Sequence, residues 1–103
     1  MSENLLAPRA QRELREAVLW IAEDNLNAAL ALRETTYRAA RMIVAKPGLA
    51  RTEPELAPPR FRFWSLRAYP YLLVLDTGRD PPVIARFLHQ ARDLPSALAE
   101  LLH

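Results

Sequence analysis

Between Arg9 and Glu23, apolar residues return at Ala10, Leu14, Val18 and Ile21, with Ala17 beside them. Steps of three and four place these side chains on one stripe of a helix. Pro8 suits the first helical position, where an amide hydrogen would have no partner. Arg9, Arg12, Glu13, Arg15 and Glu16 fall largely on the wet side, and Arg12 stands one turn from Glu16, close enough to pair. Leu19 and Trp20 flank the stripe. Asp24-Asn25-Leu26-Asn27 then breaks the pattern with short polar side chains that can cap a second helix. This helix is predicted from about Leu26 to Ala45, roughly 30 Å at 1.5 Å per residue. Lys46-Pro47-Gly48 ends it. Ala29, Leu32, Thr36, Ala39 and Ile43 form one face, while Leu26, Leu30, Tyr37 and Val44 form a second apolar line. A helix apolar on two sides is either sandwiched or partly reserved for a partner.

Beyond Pro47 the periodicity changes. Pro47, Gly48, Pro54, Pro58 and Pro59 mark residues 47–60 as an irregular connector. Arg60-Phe61-Arg62-Phe63-Trp64-Ser65-Leu66 partly alternates and is rich in aromatics, which predicts a strand. Arg67-Ala68-Tyr69-Pro70 reads as a hairpin turn. Tyr71-Leu72-Leu73-Val74-Leu75 is the continuous apolar run of a central strand covered on both faces. A second turn at Asp76–Pro82 leads to a third strand at Val83–His89. Asp93 to Leu102 predicts a short closing helix, with Asp93 as its cap, Pro95 in its first turn, and Leu98, Leu101 and Leu102 facing inward. Residues 3–7 are either a short strand or an extended lead-in. The sum is a single α+β domain over residues 1–103, in which a helical hairpin packs on an antiparallel meander.

Composition narrows the chemistry. The chain has 103 residues and a formal net charge of +2, with no cysteine, so disulfides and thiolate metal sites are excluded. No apolar run approaches the roughly 20 residues of a membrane span, and Met1-Ser2-Glu3-Asn4 lacks the features of a secretory signal. A cytoplasmic protein is expected. Thirteen of the 14 basic residues are arginine, either a coding bias or a surface suited to carboxylates and phosphates. His89 and His103 alone make a catalytic zinc site improbable, Ser2, Ser65 and Ser96 lack a nucleophile context, and Gly48 and Gly78 cannot build a phosphate-cradling loop. Neither cofactor nor metal is expected.

Five strings carry a family resemblance. Ile84-Ala85-Arg86-Phe87-Leu88-His89-Gln90-Ala91-Arg92-Asp93-Leu94 resembles the last strand of the RelE/ParE toxins and its "LHxARDL" ending. Tyr69-Pro70-Tyr71-Leu72-Leu73-Val74 resembles the strand before it. Ala10–Ile21 with Asn27-Ala28-Ala29 resembles the family's first two helices, and Pro47-Gly48-Leu49-Ala50-Arg51 its loop. The strings occur in the family's order and span nearly the whole chain. Glu13-Leu14 replaces a frequent Asp-Leu pair, and Leu75 stands where an aromatic often closes the strand.

The resemblance, closest to the ParE branch, implies a β-α-α-β-β-β fold with a short C-terminal helix. It also implies the toxin of a type II toxin–antitoxin system, of the kind linked to plasmid stabilisation. On this branch the toxin inhibits DNA gyrase by protein–protein contact and forms a hetero-oligomer with a ParD-like antitoxin, with no membrane partner. The alternative is a RelE-like, ribosome-dependent mRNA endonuclease, the one reading with direct nucleic-acid contact. For that reaction the candidates are Arg67, Tyr69, Arg86, His89 and Arg92, since strand cleavage needs cations at the phosphate and proton donors and acceptors at the oxygens. Their ordinary readings compete: Arg86 and Arg92 pairing with Asp76 or Asp93, and His89 hydrogen-bonding at a strand end. Antitoxin-binding candidates are Leu19, Trp20, Leu26, Leu30, Tyr37, Val44 and Trp64, which could equally be core.

Overall fold

The computed structural model describes residues 5–101. Helix α1 spans Pro8–Ala22 and α2 spans Leu26–Ala45, the latter with the expected bounds. Asn25 caps α2, its side-chain oxygen accepting from the Ala28 amide at 3.0 Å. A 3-10 turn, Pro47–Leu49, follows. Strands β2 (Phe61–Ser65), β3 (Tyr71–Asp76) and β4 (Val83–His89) form the expected antiparallel meander. Helix α3, Leu94–Leu101, closes the described chain.

The connector holds a strand that its prolines concealed. Arg51–Thr52 form β1, paired antiparallel with β2 through Arg51↔Phe63 and Thr52↔Arg62, so the sheet order is β1-β2-β3-β4. Two residues are too few to show alternation. The expected N-terminal strand is reduced to one parallel bridge, Leu6↔Ile84, while positions 3 and 4 lie outside the described residues. That bridge still covers part of the β4 edge: the Ile84 amide donates to the Leu5 carbonyl at 2.8 Å and the Ala7 amide to the Ile84 carbonyl at 2.9 Å.

Every residue of β3 is buried, because the sheet is covered on both faces. On one face, Leu73, Leu75, Ile84, Phe87 and Tyr71 meet Ala10 and Leu14 of α1 and Leu32, Ala40 and Ile43 of α2. The Tyr71 and Phe87 rings stack there at 4.8 Å. On the other, Phe61, Phe63, Leu72, Val74 and Leu88 form a smaller core with Ala57 and Ala97. In α3, Ala97 is the fully buried residue; Leu98 and Leu101 are half-buried, and Leu102 lies outside the described residues. Asp93 differs from expectation too. Its carboxylate turns back to accept from the His89 amide at 3.0 Å, while its carbonyl accepts from Ala97 at 3.1 Å.

Candidate functional site

Among the described residues, grooves border α1 and α2 on several sides. The first is a cleft of about 510 Å³ between α1, β4 and α3, and its chemistry centres on Arg86. A bulge in β4 leaves Ala85 between the pairs Val74↔Arg86 and Leu75↔Ile84. The next residue, Arg86, is only 8 % exposed. Its Nε and Nη2 donate to the Glu13 carboxylate at 3.0 and 2.8 Å, and Nη1 donates to Glu100 at 3.4 Å. Glu13 also accepts from the Phe87 amide at 3.0 Å, so a single carboxylate holds both the guanidinium and the strand edge. Arg9 completes the network with a 2.7 Å contact to Glu100. That hydrogen bond pulls the Glu100 carboxyl below, and the Arg9 guanidinium above, their usual ranges. Two cations face two anions, and the network closes on itself.

At the end of β4 the His89 Nδ1 accepts from the Arg92 amide at 3.1 Å, and its ring stands edge-on to Tyr71 at 5.5 Å. Arg92 Nε donates to Asp93 at 3.0 Å. This bond, helped by the His89 amide, holds the Asp93 carboxyl below its usual range. Arg92 thus pairs with Asp93, as its ordinary reading has it. Arg86 pairs instead with Glu13 and Glu100, and Asp76 lies 3.5 Å from Arg60.

Arg67 and Tyr69 lie on the β2–β3 turn, where Ala68 holds a positive φ of 69°. Arg67 is exposed and lines a different groove, between α2 and β1–β2, while Tyr69 packs half-buried beside the larger core. The structure therefore gathers Arg86 and Arg92 on one cleft, sets His89 beside them, and leaves Arg67 apart.

The remaining groove, about 470 Å³, runs along the outer seam of the helical hairpin and is lined by Leu14, Val18, Leu19 and Tyr37 with Arg12, Arg15 and Arg33. The Arg33 guanidinium lies 5.3 Å over the Tyr37 ring. Leu19, Trp20, Leu26 and Leu30 are each more than half exposed around the hairpin tip. Tyr37, Val44 and Trp64 differ: they are half-buried against the core. Trp20 faces the Arg86 cleft and Trp64 the α2–sheet groove, so the seven candidates do not share one surface. Sequence reading missed the partnership of Glu13 and Glu100 with Arg86. Glu13 stood among the wet-side residues of α1, and nothing local marks a contact 73 positions away.

No curated protein matches the chain. One family model does, over residues 5–94: the ParE toxin of the type II toxin–antitoxin system parDE. That span takes in both helices of the hairpin, the whole meander and the Arg86–Glu13 pair, and the observed α+β architecture agrees with it. The chain belongs to the ParE toxin family of type II toxin–antitoxin systems.

Proposed function

We propose that this toxin acts by protein–protein contact on DNA gyrase and is neutralised by a ParD-like antitoxin whose amphipathic segment docks on the helical hairpin. One observation carries the reading: Leu19 stands exposed in the basic outer seam, and Leu26 and Leu30 stand exposed around the hairpin tip. Among the described residues Arg12 and Arg15 have no carboxylate partner there. An apolar anchor, Leu19, in a groove with two unpaired arginines suits a helix with one apolar and one acidic face. Gyrase as the target rests on family membership.

The RNA-cleaving alternative draws on Arg67, Tyr69, Arg86, His89 and Arg92, and their placement weighs against it. Arg86 is buried and held by two carboxylates, so its charge is not free for a phosphate, and Arg67 lines a different groove from Arg86 and Arg92.

Purified toxin is expected to inhibit negative supercoiling by gyrase, and co-purified antitoxin to restore it. Leu30→Asp is expected to prevent that rescue while the variant still inhibits. Full supercoiling activity at large toxin excess would reject the target. New ribosome-dependent cleavage sites, found by primer extension in induced cells, would favour the endonuclease.

A further inference from the structure

The groove between α2 and the β1–β2 edge plays no part in that reading. It has a volume of about 480 Å³ and is lined by Ala39, Met42, Leu49, Trp64 and Leu66 with arginines 38, 51 and 67. Met42 is 40 % exposed and Leu49 47 %. Both stand near the C-terminal end of α2, far along the helix from the hairpin tip. On a small chain, exposed large aliphatic residues gathered in a concavity mark a contact surface more than a scatter would.

The charge of the groove identifies the occupant. No carboxylate lines it. Arg38 and Arg51 are held at 2.8 Å by Glu34 and Glu53, which lie outside it. The Arg38–Glu34 pair joins two largely exposed groups and Arg51 is half exposed beside a partly buried Glu53; such surface pairs are weak enough to exchange for a better partner. Arg67 has no carboxylate partner among the described residues. Both edges of the sheet also differ. On β4 the outward amides of Ile84, Phe87 and His89 are taken by Leu5, Glu13 and Asp93. On the β1 side no further strand follows among the described residues, so this groove adjoins the edge without a neighbouring strand there.

We infer that this groove is a second docking surface, which binds an acidic peptide segment of a protein partner. Aliphatic side chains of that segment sit against Met42, Leu49 and Trp64, and its carboxylates meet arginines 38, 51 and 67. A nucleic acid would match the charge but not the lining. Single strands are held by successive stacking on accessible aromatics, and here Phe63 is buried, leaving Trp64 as the one partly accessible ring.

The chain's two tryptophans make the test direct. Trp20→Phe changes an exposed residue of another groove and leaves Trp64 as the sole indole. Three probes are titrated into this variant: a short synthetic peptide of glutamate and leucine, its lysine–leucine counterpart, and a single-stranded RNA oligonucleotide. The acidic peptide is expected to change Trp64 emission saturably, with affinity falling as salt rises. Adding Arg67→Glu, at an exposed turn position that the core does not use, is expected to weaken binding about tenfold, and Met42→Asp by a similar factor. The inference is overturned if the lysine peptide binds equally well, if the RNA binds in its place, or if Trp64 emission depends on protein concentration alone, which would mean a second copy of this chain. It is also overturned if Leu30→Asp abolishes the signal while Arg67→Glu spares it, which would move the peptide to the hairpin seam. None of these readouts depends on gyrase.

Discussion

At the scale of single residues, Arg86 is a buried cation tied to two carboxylates. A buried guanidinium is tolerated only when its donors meet acceptors, and Glu13 and Glu100 supply them. Truncating it leaves the Glu13 carboxylate, itself largely shielded, without its main partner. Arg86→Ala is therefore expected to lower unfolding free energy by about 2–4 kcal/mol, measured by urea denaturation. Arg86→Met, which restores the volume, should lose clearly less. Asp93 sets a pH dependence. Its folded-state pKa lies below its ordinary 3.8, so folding favours the ionised form. The stability this contributes is complete above the ordinary value and disappears as pH falls through the lower, folded-state one. Asp93→Asn should flatten the acid limb of a plot of melting temperature against pH; an unchanged limb would mean that the Arg92 contact contributes nothing. Ala68 offers a third case. Its φ of 69° strains an L-residue by roughly 1–2 kcal/mol, more than the entropy a glycine adds to the unfolded chain, so Ala68→Gly should raise the melting temperature.

At the scale of elements, legibility followed length and periodicity. Helix α2 was readable end to end, because Asn25 caps it, Pro47 stops it, and its buried face keeps an unbroken helical spacing. The continuous apolar run of β3 announced a strand covered on both sides. Strand β1 was not legible: two residues in a proline-rich connector carry no period. Nor was the way β4 is sealed, since its partners come from remote parts of the chain. The candidate site was legible as a set of residue types and not as a constellation. Arg86 and Arg92 share a cleft, but Glu13, Glu100 and Arg9, which decide what those cations can do, had given no sign of it. The seal makes its own prediction. Because the Phe87 amide donates to the Glu13 side chain, Glu13→Ala should speed hydrogen exchange at Phe87 more than at Ile84, whose acceptor is the Leu5 backbone. Equal acceleration at both would mean that α1 as a whole has loosened.

At the scale of the whole molecule, β3 divides two cores of unequal size, and adjacent leucines sample them separately. Leu73 points into the larger one, beneath the helical hairpin, where Leu32, Ile43 and Phe87 are also fully packed. Leu72 points into the smaller one, beneath α3, whose half-buried leucines have room to move inward. Leucine-to-alanine changes in cores cost about 2–5 kcal/mol, and the value rises as the surroundings fail to close over the cavity. Leu73→Ala should therefore sit near the upper end of that range and Leu72→Ala near the lower. A docking partner gives the comparison a functional side. The hairpin seam, where we propose that the antitoxin docks, is built on the larger core, so on that proposal Leu73→Ala should weaken antitoxin capture along with stability, whereas Leu72→Ala should spare it. Calorimetric titration of both variants with antitoxin, well below their melting temperatures, provides the check. Equal loss of affinity would show that the two faces of the sheet behave as one cooperative unit, and that the hairpin cannot present its surface without α3 in place.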